Sequence, residues 1–231
     1  LRTGAASAIA SQYLAIPTSR TLGLVGAGAQ AITQLHALSR CFDLDRVLVF
    51  DSDPAVMNSF AERAAVLSLD IQIQPVPLQQ VTTAADILCT ATSVDVEAGP
   101  VIADFDLKPW LHINAVGADF PGKTEIPLSV LERSLICPDF YEQALLEGEC
   151  QQVEDPSTIG PELFELMQSP EQYSESQHRM TVFDSTGFAL EDQAALNLML
   201  DYADELGLGT WMALESVAAD VKNPYSFVAG G

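Results

Sequence analysis

The chain has 231 residues, enough for a globular domain with a substantial hydrophobic core. Its 32 Asp and Glu residues against 10 Lys and Arg residues give a formal net charge of −22, which argues against nucleic acid and anionic membrane surfaces as partners. No apolar run reaches the roughly 18 residues of a membrane-spanning helix, and no signal peptide is visible. These features predict a cytoplasmic protein.

The four cysteines and three histidines predict neither a disulfide framework nor a metal site. The cysteines form no C-x-x-C pair, and the histidines have no metal-ligand spacing. Cys89 and Cys137 lie in apolar, strand-like runs, where buried free thiols are expected. His36 falls at helical spacing, which favours a packing role over a catalytic one.

The chain opens with a stretch rich in small residues, at positions 1–16. It predicts a helix that packs closely against another element, and Pro17 ends this helix. Because no N-cap residue precedes the helix, we expect a further segment before Leu1.

The stretch from Thr21 to Asp51 predicts a strand, a turn, a helix and a second strand. An apolar run over 21–25 indicates a strand buried on both faces, and residues 26–31 form a G-x-G-x-x-A turn. Apolar residues at helical spacing follow, and a second apolar run over 47–50 ends in Asp51, 23 residues after Gly28. This order is typical of a βαβ unit that binds a dinucleotide.

Each residue type in this unit has a physical role toward a dinucleotide. Gly26 permits the tight turn, and Gly28 has no Cβ to block the diphosphate. The helix that starts at Ala29 and Gln30 offers free N–H groups to the phosphates. Asp51 can accept both ribose hydroxyls but would repel a 2′-phosphate, which favours NAD over NADP. The alternative is a Rossmann-like fold whose site is empty or holds a different nucleotide.

The remaining elements predict an α/β protein with a Rossmann-type doubly wound sheet. Further strands are expected at 71–75, 86–90, 111–116, 135–138 and 181–184, and helices at 54–67, 78–83, 140–147, 161–167 and 190–206.

Two loops follow predicted strands and carry candidate functional residues. Thr92 lies just after the strand over 86–90, where a cofactor is expected in an open α/β sheet, although a simple Ser/Thr turn is the alternative. The loop from Gly117 to Glu125 carries Asp119 and Lys123 beyond another strand end, a common place for chemistry.

Five segments of the chain resemble the ornithine cyclodeaminase/μ-crystallin family, in the order in which the family has them. They are LRTGAASAIA, GLVGAGAQA, INAVGADFPGKTEI, EGECQQV and VFDSTGFALED. The last two resemble ornithine cyclodeaminases more than ketimine-reducing μ-crystallins. Asp51 agrees with this, because NADPH-using members tend to have a basic or neutral residue there.

The resemblance implies that bound NAD takes a hydride from L-ornithine, that the substrate's own δ-amine closes a ring as ammonia leaves, and that L-proline forms when the hydride returns. Asp119 would be the acid/base. A carboxylate near the substrate amines can take a proton from them, which is compatible with this role. The alternative role for Asp119 is that of a carboxylate that caps its loop.

The family's other roles map onto residues beside the expected cofactor. Those implied for substrate binding are Arg2, Asp119 and Thr186. Those implied for cofactor binding are Gly26, Gly28, Ala29, Gln30, Asp51, Thr92, Asn114, Ala115, Val116, Gly117, Lys123 and Ser185.

Family members have a further region before the R-T-G-A motif, which supplies basic substrate-binding residues and most of a dimer-forming sheet. The resemblance therefore implies a homodimer formed through that region. It divides this chain into a substrate-side helix (1–17), a NAD-binding Rossmann domain (18–187), and a C-terminal helix and tail that pack on the substrate side (188–231). For this chain alone we expect NAD binding with little or no cyclodeaminase activity, and full activity if a separate chain or a longer precursor supplies the preceding region.

The sequence is compatible with two other functions. One is a related oxidoreductase, either a ketimine reductase or an alanine dehydrogenase. The other is a non-catalytic binding protein of the μ-crystallin type.

Overall fold

The computed structural model describes residues 1–212 and 222, and it contains one fully parallel seven-stranded sheet. The strands are β1 (Thr21–Val25), β2 (Arg46–Phe50), β3 (Gln72–Pro75), β4 (Ile87–Thr90), β5 (His112–Ala115), β6 (Leu135–Pro138) and β7 (Thr181–Asp184). The helices are α1 (Arg2–Leu14), α2 (Ala29–Cys41), α3 (Pro54–Ala64), α4 (Leu78–Ala84), α5 (Leu128–Leu131), α6 (Tyr141–Glu147), α7 (Leu163–Gln168) and α8 (Ala189–Leu206).

The strand order β3-β2-β1-β4-β5-β7-β6 confirms the predicted doubly wound sheet. The chain runs outward from β1 to β3 on one side and from β4 onward on the other, so the order reverses between β1 and β4. A crevice opens beyond the carboxyl ends of the strands at such a point, and ligands of open α/β sheets bind there.

The central strands are apolar throughout because helices cover both faces of the sheet. All five residues of β1 are buried. Leu22 and Leu24 point into a core formed with α2 and α3, which contains the fully buried Phe60, while Val25 faces the opposite core. Cys89 and Cys137 are buried free thiols, as predicted.

Helix α1 packs tightly on α2, as its small residues predict. A Cβ on Gly4 would overlap the backbone carbonyl of Thr33, so the two helices approach at a distance that only glycine allows there. The other side of α1 contributes Ala6, Ala10 and Leu14 to a third cluster, which includes Phe183 of β7.

The chain divides into two compact units, Leu1–Asp192 and Gln193–Gly231. The predicted C-terminal helix is present as α8, but none of its residues is buried among those that the structure describes. The tail predicted to pack on the substrate side lies, beyond Met212, outside the described residues apart from Lys222. No helix in the described part of the chain has the length and hydropathy needed to cross a membrane.

Candidate functional site

A cavity of about 600 Å³ opens at the carboxyl ends of β1, β2 and β4, where the sheet order reverses. Six of the predicted cofactor-binding residues line it: Gly26, Gly28, Ala29, Gln30, Asp51 and Thr92. The structure therefore brings half of the residues predicted to bind the cofactor together in one cavity.

The turn after β1 has the geometry of a diphosphate cradle. Gly26 has a φ of +90°, and a Cβ there would lie 2.5 Å from the carbonyl oxygen of Ala91. A Cβ on Gly28 would meet nothing within 4 Å, so this glycine faces open space on the cavity side. Helix α2 then begins with no side-chain cap and no acid in its first turn, which leaves its N–H groups and positive dipole end available to an anion.

Asp51 is fixed beside this turn by two backbone donors. Its Oδ2 accepts a hydrogen bond from Ala27 N at 2.7 Å, and its Oδ1 accepts one from Asp53 N at 2.8 Å. Each carboxylate oxygen retains a lone pair, so the group can still accept from a ribose diol. The turn and Asp51 together fit the diphosphate and adenosine ribose of a dinucleotide.

Glu125 joins the turns that follow β4 and β5. Its Oε1 accepts from both the N–H and the hydroxyl of Thr92, each at 2.7 Å, and its Oε2 accepts from Gly117 N at 2.9 Å. A Cβ on Gly117 would overlap this carboxylate, which explains the glycine. Glu125 is completely buried, and burial raises its pKa although these hydrogen bonds oppose the rise.

Asp119 and Lys123 form an ion pair, with Asp119 Oδ1 2.6 Å from Lys123 Nζ. The Asp119 side chain is 60% exposed and that of Lys123 is 18% exposed. Gln151 holds the loop between them in place, because its Oε1 accepts from Gly122 N at 2.7 Å and its Nε2 donates to Lys123 O at 3.0 Å. The candidate acid/base thus lies on an anchored loop with its carboxylate open to solvent.

Two further buried carboxylates extend the anchor toward β7. Glu149 accepts from the backbone N–H groups of Glu125 and Ile126, at 2.7 and 3.2 Å. Asp184 in turn accepts from the N–H groups of Glu149 and Cys150, at 2.9 and 2.8 Å. Burial raises the pKa of Glu149 well above its ordinary value and the pKa of Asp184 to about 6.

Asp139 organises the turn after β7. It accepts from the hydroxyls of Ser185 and Thr186, at 2.8 and 3.4 Å, and from Gly187 N at 2.6 Å. The Ser185 hydroxyl is therefore engaged within the protein and only 3% of the residue is exposed. Thr186 remains half-buried.

Arg2 lies against this turn and is neutralised by α8. Its guanidinium occupies the space that a Cβ on Gly187 would need, and it forms ion pairs with Glu191 at 3.3 Å and Asp192 at 2.8 Å. Burial, together with the charge of Asp139, raises the pKa of Glu191 to about 7, although Arg2 opposes the rise.

The Asn114 to Gly117 segment stays a prediction for the nicotinamide side, and within it the side chain of Asn114 contacts α1. Asn114 is fully buried, and its Nδ2 donates to Ser11 Oγ at 3.0 Å while its Oδ1 lies 3.3 Å from His112 Nε2. This side chain therefore joins β5 to α1, and burial lowers the pKa of His112 to about 3. Ala115 is also completely buried, and Val116 is the half-buried residue of this segment.

Asp139, Glu149 and Asp184 have structural roles that were not predicted from the sequence. Glu149 lies in EGECQQV, and Asp184 lies in VFDSTGFALED, two segments that carried the family resemblance. Asp139 directly follows an apolar strand, the same position that indicates a role for Asp51, whereas Asp184 is the last residue of a strand and Glu149 follows a helix.

A parallel sheet in this order, with a glycine turn at its switch point and a carboxylate after the next strand, defines a Rossmann-type domain of the kind that binds dinucleotides. The chain belongs to the ornithine cyclodeaminase/mu-crystallin family, whose model matches residues 1–206.

Named relatives include both cyclodeaminases and dehydrogenases. The chain is 47% identical to the L-lysine cyclodeaminase of Streptomyces rapamycinicus over 226 residues, which is 98% of this chain and 65% of that protein. A solved lysine cyclodeaminase, described as recognising L-lysine, L-ornithine and L-2,4-diaminobutyric acid, superimposes with a TM-score of 0.90 at 49% identity, covering 97% of this chain and 64% of that one.

An archaeal alanine dehydrogenase, solved as a dimer with bound NAD, has a TM-score of 0.81 at 30% identity, covering 92% of this chain and 66% of that one. The chain thus spans about two thirds of the length of these proteins.

The position of Asp51 predicts a preference for NAD that depends on its charge. Replacing Asp51 by Asn keeps an acceptor for Ala27 N but removes the repulsion of a 2′-phosphate, so the ratio of NADP to NAD dissociation constants should fall at least about tenfold, or about 1.4 kcal/mol. Isothermal titration with both cofactors measures this ratio. Asp53→Asn is the matched control, since Asp53 caps α3 and Asn is an equally good cap. Tighter binding of NADP than of NAD by the unaltered protein would contradict the assignment.

The raised pKa of Asp184 predicts that its contribution to stability depends on pH. The Asp184 carboxyl binds its proton more tightly in the folded protein than in the unfolded chain. Its contribution to stability is therefore complete below the unfolded pKa of 3.8, and it is lost as the pH rises through about 6. Asp184→Asn removes this dependence, so the unfolding free energy of the unaltered protein, taken relative to that of the variant, should fall by about 2 kcal/mol between pH 4 and pH 7.

Urea unfolding at a series of pH values measures that difference. The exposed Asp70→Asn serves as the control and should follow the unaltered protein. Parallel pH profiles for the unaltered protein and Asp184→Asn would show that Asp184 titrates normally.

Proposed function

We propose that this protein catalyses the NAD-dependent cyclodeamination of an α,ω-diamino acid, which yields a cyclic imino acid and ammonia. The observation that carries the proposal is the position of Glu125, which binds Thr92 in the cavity wall and Gly117 at the start of the Asp119 loop. A single buried group thus connects the dinucleotide cradle to the candidate acid/base.

We propose L-lysine and L-ornithine as the two candidate substrates. The sequence motifs led to a prediction of L-ornithine, which would give L-proline. The 47% identical relative is an L-lysine cyclodeaminase, and the similar solved cyclodeaminase recognises both amino acids, which supports L-lysine equally. Lysine would give the six-membered ring product, L-pipecolate.

NAD in the cavity would supply the hydride acceptor and, after ring closure, the hydride donor. Asp119 would take a proton from the substrate amine so that an uncharged nitrogen can attack. Lys123, which now pairs with Asp119, would contact the cofactor's carboxamide when Asp119 engages the substrate. Arg2 would bind the substrate carboxylate, for which its planar guanidinium is suited.

A homodimer and a cytoplasmic location remain predictions. The dimeric state of the similar alanine dehydrogenase supports the former. The proposed dimer would form through a region that precedes Arg2.

The reaction can be tested by incubating full-length protein with NAD and isotopically labelled L-lysine or L-ornithine. We expect labelled pipecolate or proline, one equivalent of ammonia, and no accumulation of NADH, because the hydride returns to the product. Mass spectrometry, an ammonia assay and absorbance at the NADH band measure the three quantities. Accumulation of NADH with a 2-oxo acid, from these substrates or from L-alanine, would instead indicate an amino-acid dehydrogenase.

The role of Asp119 predicts a selective loss of turnover. Asp119→Asn should lower kcat by at least about 100-fold, the usual contribution of a general acid–base. Its NAD affinity should stay within about twofold, because the role proposed for Asp119 is toward the substrate amine and not toward the cofactor. Asp95→Asn, an exposed carboxylate on a neighbouring loop, is the control. Near-normal turnover of Asp119→Asn would leave Asp119 as a loop-capping residue.

A further inference from the structure

Arg63 contacts the glycine turn from the side of α3. Its Nη2 donates to the carbonyl oxygen of Ala27 at 2.6 Å and to Val56 O at 3.0 Å. Its Nε donates to Ser59 Oγ at 3.2 Å, and its guanidinium carbon lies 5.5 Å from the centroid of the Phe60 ring. These contacts hold the guanidinium in one place behind the turn.

Ala27 is therefore held at both of its backbone polar groups. Its N–H donates to Asp51 Oδ2 at 2.7 Å, and its carbonyl accepts from Arg63 at 2.6 Å. In a trans peptide the C=O and the following N–H point in opposite directions. Holding the Ala27 carbonyl toward Arg63 consequently turns the N–H of Gly28 away from Arg63, and Gly28 lines the cavity whereas Arg63 does not.

The charge of Arg63 also favours an anion at the glycine turn. Within residues 1–212 and 222, Arg63 forms no ion pair, and its three hydrogen-bond acceptors are uncharged. A cation without a carboxylate partner thus lies one peptide unit from Gly28, in a chain whose net charge is −22. Such a charge favours a diphosphate at this point of an otherwise repulsive protein.

We propose that Arg63 is a positioning residue for the diphosphate of the bound dinucleotide. It orients the Gly28 N–H toward the cavity and places a positive charge behind the turn. The inference rests on the NAD binding proposed above and is independent of the reaction that follows.

Titration of the unaltered protein and Arg63→Met with NAD and with adenosine tests this role. Arg63→Met should bind NAD at least about tenfold more weakly, since it loses both the charge and the carbonyl contact. Adenosine lacks the diphosphate but keeps the ribose that Asp51 would bind, so its affinity should change less than about twofold. A general loosening of the cavity would instead weaken the binding of both NAD and adenosine.

Arg40→Met is the matched control, because it makes the same charge change on the exposed last turn of α2, and NAD should bind it normally. If Arg63→Met does not fold, Arg63→Gln replaces it in the test, since Gln removes the charge and keeps a hydrogen-bond donor. We expect Arg63→Gln to bind NAD at least about threefold more weakly and adenosine with unchanged affinity.

Unchanged NAD affinity in the folded variant, or an equal loss of NAD and adenosine affinity, would overturn the role of Arg63. Absence of NAD binding by the unaltered protein would instead overturn the proposed function. The two failures are therefore distinguishable.

Discussion

The carboxylate of Glu125 is the interaction on which the candidate site depends. It holds the turn after β4 through Thr92 and the turn after β5 through Gly117, and its own N–H is held by Glu149. The N–H of Glu149 is held in turn by Asp184. Burying such groups is costly unless their hydrogen bonds are satisfied, and each of these carboxylates accepts at least two backbone N–H groups. The strand ends that carry the cavity wall, the Asp119 loop and the turn after β7 are thereby fixed relative to one another.

The same network changes the electrostatics near the cofactor cradle. Three additional buried negative charges would oppose the binding of a diphosphate in a chain that already carries a net charge of −22. Burial raises the pKa of Glu125, Glu149 and Asp184, so their charged forms are disfavoured. Arg63 and the uncapped start of α2 provide positive potential at the cradle, which reconciles an acidic protein with an anionic ligand.

The sheet and the cradle could be predicted because their signals are local. A strand buried on both faces is a continuous apolar run, and the glycine turn and Asp51 have a characteristic spacing. Asn114 could not be placed in this way, since a polar residue on a strand gives the same signal whether its side chain meets a ligand or a helix such as α1. The hydrogen bonds from Arg63 to Ala27 and from Thr92 to Glu125 each join residues more than 30 positions apart in the sequence. Contacts at that separation leave no local periodicity, so only the folded structure reveals them.

One structural arrangement occurs in both halves of this sheet. A carboxylate directly after one strand binds the turn after the neighbouring strand: Asp51, after β2, holds Ala27, and Asp139, after β6, holds Gly187. Parallel pairing makes this possible because neighbouring strands end at the same edge. The outcomes differ in what each turn faces. Beyond the turn held by Asp51, Gly28 faces open space, which suits a ligand, whereas the space beside Gly187 is filled by the guanidinium of Arg2. The first turn is thus open on its outer side, as a binding surface must be, and the second supports the side chain of Arg2.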